Sequence, residues 1–299
     1  MDLRNGHVVL EQQAKRQDAS DLLAPVYEWL CVQQRRACST VTHRRSNMTQ
    51  IIDLTVPLSA KGNLIDQPVI EYRTHEQSAA MAAERFGVKA EDFRHGKYAA
   101  IETVTLTTHA TSHLDAPYHF APTSEGKPAK TIDQIPLDWC YGDGVVLDFH
   151  HKKKGEGISA REVQESLDNI GYTLQPFDIV LIRTDIYKHY AEPGYEVMHP
   201  GMTAEATRWI LKQGIKVVGI DAWGWDRPHD VMIEDMKAGQ KEKFWEAHYL
   251  GSDMEYCHME RLANLDKIPQ PFGFKVAAFP INIEGASGAW VRAVAILEE

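Results

Sequence analysis

Within residues 107–120, which read T-T-H-A-T-S-H-L-D-A-P-Y-H-F, three histidines and one aspartate fall inside eleven residues: His109, His113, Asp115 and His119. Imidazole nitrogen and carboxylate oxygen are donors that zinc, manganese and ferrous ions accept. All four positions are odd-numbered, and side chains two apart along an extended chain point to one face. A strand would therefore aim all four the same way. Pro117 and the β-branched Thr105, Thr107, Thr108 and Thr111 argue against a helix here. A straight strand would hold His109 and His113 roughly 13 Å apart, at about 3.3 Å per residue, so two imidazoles could barely meet on one ion. A bend or bulge around residues 110–112 is therefore expected, with Pro117 fixing a turn that leaves His119 beside the ion. The alternative is a threonine-rich strand carrying surface histidines.

The elements that must position these groups alternate in type. Residues 51–56 form a short apolar stretch bounded by Pro57, a strand signal. Residues 64–100 mix Pro and charge with an Ala-rich helical piece at 77–86 and read as a lid or rim over the site. Residues 101–107 read as a strand feeding the histidine stretch. Buried strands follow at 144–149, 178–183 and 215–221, with a last one at 291–297. Between them lie helices at 158–170 and 203–213. Ser159 and Glu162 stand at capping-box spacing, and Gly214 marks a helix end. Helices alternating with nearly continuous apolar strands predict an α/β sheet covered on both faces.

Composition narrows the class. The chain has 299 residues, 43% of them hydrophobic and 25% charged, as in soluble globular proteins. A net charge of −10 argues against nucleic acid, which calls for a basic footprint. No apolar run approaches the roughly 20 residues of a membrane span. The four cysteines, Cys31, Cys38, Cys140 and Cys257, show no C-x-x-C spacing, so a zinc ribbon is not supported. Scattered cysteines and no secretory start lead to the expectation of a cytoplasmic setting.

Residues 1–48 differ from the rest. They are polar, with one amphipathic helix expected at 21–37, where Leu22, Leu23, Val26, Trp29 and Leu30 recur at helical steps. They are expected to be an extension, either a helical arm that packs on a neighbouring subunit or the product of an early start site. A single domain is expected over residues 49–299.

The stretch H-A-T-S-H-L-D-A-P-Y-H-F resembles the H-x-G-T-H-x-D-x-P-x-H-F motif of the metal-dependent cyclase/hydrolase family, which includes bacterial kynurenine formamidase and isatin hydrolase. Ser112 stands where that motif has Thr and keeps the hydroxyl. Thr111 stands where it has Gly, the greater departure, because Gly suits a sharply turned backbone. Downstream, His248 is followed twelve residues on by Glu260, which opens E-R-L-A-N-L-D and is similar to the family's E-x-L-x-N-L-D run. The resemblance implies that Asp115 bridges two ions, with His109 and His113 on the first and His248 and Glu260 on the second; some relatives hold one. By itself, His248 would equally suit the surface of an aromatic helix. Glu255 is a nearby carboxylate that competes with Glu260, and His258 is a candidate hydrogen-bond donor behind the ligands. Arg183-Thr184-Asp185, His199-Pro200-Gly201 and the glycine-rich 285–292 are weaker points of similarity.

The resemblance implies a cyclase-type α/β fold: a central mixed sheet, swivelling β/β/α-like, flanked by helices. It also implies a homo-oligomer, dimer or tetramer, and a small-molecule substrate. With Mn²⁺ or Zn²⁺ as cofactor, hydroxide made available by the ion would attack a cyclic amide or imide carbonyl, as in isatin or a lactam. Arylformamide hydrolysis, on a substrate like N-formylkynurenine, is the alternative. His119 is then the catalytic proton shuttle. Trp223 and Trp225, in a Gly- and Pro-punctuated loop, together with Tyr118 and Phe120, either line the substrate pocket or anchor the core. A non-catalytic metal-binding scaffold is the reading from another class. A serine hydrolase is disfavoured, because no G-x-S-x-G is present.

Overall fold

The computed structural model describes residues 49–61 and 65–297; the helix expected at 21–37 lies outside them. In chain order the elements that frame the site are as follows. β1 is Gln50–Asp53, β2 Val69–Arg73, α1 His75–Phe86, β3 Ile101–Thr105, β4 His113–Asp115 and α2 Pro117–Phe120. Then come β5 Tyr141–Asp148, α3 Ala160–Ile170, β6 Ile179–Arg183, α4 Ala204–Leu211, β7 Val217–Ile220 and α5 His229–Lys237. α6 Glu246–Tyr249, β8 Cys257–Glu260, β9 Phe274–Ala277, β10 Gly288–Trp290 and β11 Val294–Leu297 complete the set.

Nine strands form one mixed sheet in the order β1-β11-β9-β5-β6-β7-β8-β4-β10. The central four, β5 to β8, run parallel, and every other neighbour pair is antiparallel. β6 (IVLIR) and β7 (VVGI) are almost wholly buried, as parallel strands covered on both faces must be. One face, with Val145, Leu147, Val180, Ile182, Val218 and Ile220, packs against α3 and α4 through Val163, Leu167, Ala206 and Ile210. The other face differs from a simple helical layer. Ile52, Ala295, Val276, Val146, Leu181, Val217, Met259, Leu114 and Ala289, one from each of the nine strands, share a single apolar cluster. The sheet is therefore curled around its own inner face, and the helices cover its outside.

The chain just after β1 helps to close the curl. The Leu54 amide donates to Ala293, and its carbonyl accepts from Ala263 beyond the end of β8. Ser112 adds a second tie. Its hydroxyl accepts from the Val56 amide (2.9 Å) and donates to the Arg261 carbonyl (2.6 Å).

α3 starts at the expected capping box. The Ser159 hydroxyl accepts from the Glu162 amide, and the Glu162 carboxylate accepts from the Ser159 amide. The Thr203 hydroxyl caps α4. Three expectations shift. Residues 101–107 shorten to β3, which pairs with β2 alone and stands outside the main sheet. Residues 51–56 narrow to β1 and a lone bridge from Thr55 to Leu262. The argument against helix fails for one turn, α2, where Pro117 occupies the first helical position and its missing N–H costs nothing. Among the described residues no helix is long and apolar enough to cross a membrane.

Candidate metal centre

The site is built on one strand pair. β4 and β8 run antiparallel, with Asp115 opposite His258, Leu114 opposite Met259 and His113 opposite Glu260. The two-residue period of a strand sends Leu114 and Met259 into the curled interior. The same period sends His113, Asp115, His258 and Glu260 together to the other face. Cross-strand neighbours on one face stand about 5 Å apart at Cβ, so four donors converge from two short strands.

His109 reaches this face by the expected bend. The backbone between His109 and β4 turns through Thr111, which takes φ +57°, a left-handed conformation that a β-branched residue rarely adopts. This is the position where the motif of the similar family has glycine. The Thr111 carbonyl then accepts from His113 Nδ1 (2.9 Å), which fixes the ring and leaves Nε2 free to bind. His109 Nδ1 lies 2.6 Å from Asp115 Oδ1, and its Nε2 lies 2.8 Å from the Ser287 hydroxyl.

α6 supplies His248. The amides of Ala247 and His248 donate to the buried Asp226 carboxylate (2.8 and 3.0 Å), and so does His248 Nδ1 (2.5 Å). Asp226 thereby holds both the backbone and the ring. It leaves His248 Nε2 facing Glu260 Oε1 at 3.7 Å and Asp115 Oδ2 at 4.0 Å. Glu260 is itself held by the Trp225 amide (2.8 Å). His258 Nε2 sits 3.0 Å from Asp115 Oδ2 and 3.2 Å from Glu260 Oε1.

The residues fit a divalent ion. Three buried atoms at the centre, His113 Nε2, Asp115 Oδ2 and His258 Nε2, have no hydrogen-bond partner, and such atoms call for an explanation. The donors fall into two groups whose ligand atoms lie within 4.8 Å of one another: His109, His113 and Asp115, and Asp115, His248, His258 and Glu260. Asp115 belongs to both. The titration behaviour agrees. Burial works against the Asp115 carboxylate, but His113, His109 and His258 outweigh it and hold it well below the usual range. Burial works equally against the His258 imidazolium, yet Asp115 and Glu260 raise it to about 9.

His119, on α2, lies with Nε2 3.8 Å from Asp115 Oδ2. Its ring stacks on His109 at 4.0 Å and meets Trp245 edge-on at 5.4 Å. Burial, aided by the neighbouring His109 and His248, pushes its pKa down to about 4, so it is neutral at pH 7.

A cavity of about 230 Å³ opens beside His119, His248 and Glu260, with Trp223, Trp245 and His199 in its wall. The Trp223 ring lies 3.5 Å from the Arg261 guanidinium, which pairs with Asp66 at 2.6 Å. The other aromatic expectations need correction. Trp225 is 0% exposed, donates from Nε1 to Thr207 (3.0 Å) and stacks behind His258. Phe120 is buried against Tyr256. Tyr118 is 47% exposed and lies outside the cavity wall. All three are directed elsewhere by α2 and the core.

All five expected ligands converge, whereas Glu255 pairs with Lys130 instead. Sequence reasoning set His258 aside as a supporting donor; its Nε2 stands among the carboxylates themselves. The available signal was parity, since His258 and Glu260 are two apart on one strand. Trp245, stacked on His248 at 4.3 Å and left-handed at φ +55°, and Asp226 were both missed. Neither belongs to a periodic pattern that would reveal it.

A family model described as "Putative cyclase" matches residues 52–227. The chain belongs to this cyclase family. Over 194 residues it is 24% identical to a kynurenine formamidase of Bacillus cytotoxicus, covering 65% of this chain and 78% of that protein. A kynurenine formamidase of Geobacillus thermodenitrificans is 26% identical over 190 residues, 64% of this chain and 77% of its own. Among solved structures, isatin hydrolase A of Labrenzia aggregata superposes with a TM-score of 0.67 at 21% identity, covering 89% of this chain and 100% of that one. Isatin hydrolase A of Ralstonia solanacearum gives 0.65 at 20% identity, covering 91% and 97%. These structures share the fold.

Proposed function

We propose that this protein is a metal-dependent hydrolase of carbon–nitrogen bonds other than peptide bonds, acting on a cyclic amide or imide such as an isatin-like lactam. The observation that carries the reading is the His119 imidazole, poised between a buried donor cluster and a cavity of small-molecule size. A passive scaffold has no use for that arrangement. Arylformamide hydrolysis is a second reading, supported by the kynurenine formamidases among the sequence relatives.

His109, His113, Asp115, His248 and Glu260 would hold one or two ions, and the mixed imidazole and carboxylate donors suit Mn²⁺ or Zn²⁺. When bound, a divalent ion supplies Lewis acidity that acidifies water and polarises a carbonyl. His119 Nε2 takes the proton released as water adds to the carbonyl carbon. As the C–N bond breaks, the same nitrogen returns that proton to the departing amine. Trp223 and Trp245 would flank a planar substrate and exclude bulk water from the reacting carbonyl.

The test is to follow absorbance with isatin and with N-formylkynurenine, with added Mn²⁺ or Zn²⁺. Turnover of the first supports the lactam reading, and turnover of the second alone favours the alternative. Metal-dependent turnover of no amide across a broad panel sinks the enzyme assignment. His119→Ala is expected to keep the metal and lose most turnover; equal loss of metal would make His119 a ligand.

A further inference from the structure

We propose that His258 is a direct ligand, completing with Asp115, His248 and Glu260 a four-donor site that outcompetes the three-donor site of His109, His113 and Asp115 for metal. The inference rests on the reading of this cluster as a metal centre and assigns a residue the family motif does not supply.

The hydrogen-bond chemistry behind His258 sets its tautomer. The Tyr256 hydroxyl donates to the Ala247 carbonyl (2.8 Å), so its oxygen has only lone pairs left for His258 Nδ1 at 3.3 Å. The Nδ1 proton therefore points at Tyr256, and Nε2 is the nitrogen that points into the site. There it meets carboxylate oxygens of Asp115 at 3.0 Å and Glu260 at 3.2 Å. His258 is 0% exposed, and Trp225 stacked behind its ring prevents retreat. Two buried carboxylates and an imidazole nitrogen packed this closely call for positive charge among them, which an ion at their centre supplies.

The spacing suits a metal ion. Donors at about 2.1 Å from a tetrahedral centre lie about 3.4 Å from one another. The separations around this site are 3.0, 3.2, 3.7 and 4.0 Å, on both sides of that value. The strand register makes the arrangement rigid, because His258 faces Asp115 across the ladder and shares a face with Glu260 two residues on. The other group has one donor fewer, and its His109 is partly exposed. The two sites should therefore empty in order, the three-donor site first.

Three measurements test this. The purified protein, loaded with Zn²⁺ and dialysed against graded chelator, should release metal in two steps, read as metal per chain by mass spectrometry. His258→Ala should weaken the tighter step by more than the 10- to 100-fold typical of a lost supporting hydrogen bond. Loss of 100-fold or less, with two steps preserved, overturns the assignment. His258→Cys, loaded with Co²⁺, provides the check should the alanine variant fold poorly. A thiolate on the ion gives a sulfur-to-cobalt charge-transfer band that the wild type lacks. A folded cysteine variant that binds Co²⁺ without this band shows that position 258 does not touch the metal, and that a proton rather than an ion fills the gap. If the wild type binds no metal at all, the metal-centre reading itself fails, an outcome distinct from either result on His258.

Discussion

Replacing Thr111 with glycine and, separately, with alanine isolates the backbone strain beneath the ligand cluster. Thr111 is buried and left-handed, and its carbonyl orients His113. Both variants lose the same side chain beyond Cβ, so their difference reports conformation. An L-residue in this region costs about 1–2 kcal/mol, which glycine does not incur. Against that, glycine loses more chain entropy on folding and is normally about 0.5–1 kcal/mol worse than alanine. At the middle of both ranges, the difference leaves Thr111→Gly more stable than Thr111→Ala by roughly 0.75 kcal/mol. At this size that is a gap of about 1–4 °C in Tm. Urea or thermal unfolding of the metal-free variants measures it, and both should keep full metal stoichiometry because the path between His109 and His113 is retained. Alanine equal to or more stable than glycine would refute the strain argument, and with it the account of how this chain manages without the motif's glycine.

Three further outcomes are expected. Asp226→Asn, which weakens the hold on His248 Nδ1 and two amides, should lower metal affinity about 10- to 100-fold with the fold retained, measured by chelator competition. The His119 pKa is depressed, so its charged form is disfavoured by folding. Nitrogen-detected NMR of the metal-free protein should show it neutral at pH 6.5 and protonated only on approach to pH 4; a midpoint near 6.5 contradicts the burial argument. The two tryptophans should separate by assay. Trp223→Leu should raise KM with little change in Tm, whereas Trp225→Leu should lower Tm by several degrees through a lost buried ring and the unpaired Thr207 hydroxyl.

The sequence made some of this legible for identifiable reasons. The helix at α3 was readable because Ser159 and Glu162 carry their own start signal. β6 and β7 were readable because strands buried on both faces are apolar at every position. The curl of the sheet was not readable. Ties such as those of Ser112 to Val56 and Arg261, residues 56 and 149 positions away, accompany it, and no local pattern encodes them. Which aromatics face the cavity and which anchor the core was not readable for a related reason. Trp223 and Trp225 stand two apart in one loop, yet Trp223 lines the cavity while Trp225 is drawn into the core by Thr207 and His258.

The donor cluster was legible because strand parity and chemistry coincide in it, and the same logic explains what was missed. Parity says which residues share a face, and register says which faces meet. From His113 and Asp115 alone, the chain announces two donors on one side of β4. Only the pairing of Asp115 with His258 and of His113 with Glu260 shows that β8 presents a matching two. A shift of one residue in that ladder would replace His258 and Glu260 by Cys257 and Met259 and would push two ionisable groups into the apolar interior. Burying either group there without a partner would cost several kcal/mol, far more than one register step could return. The donor cluster and the curled core therefore specify each other, because the alignment that closes the hydrophobic interior also assembles the metal-binding face.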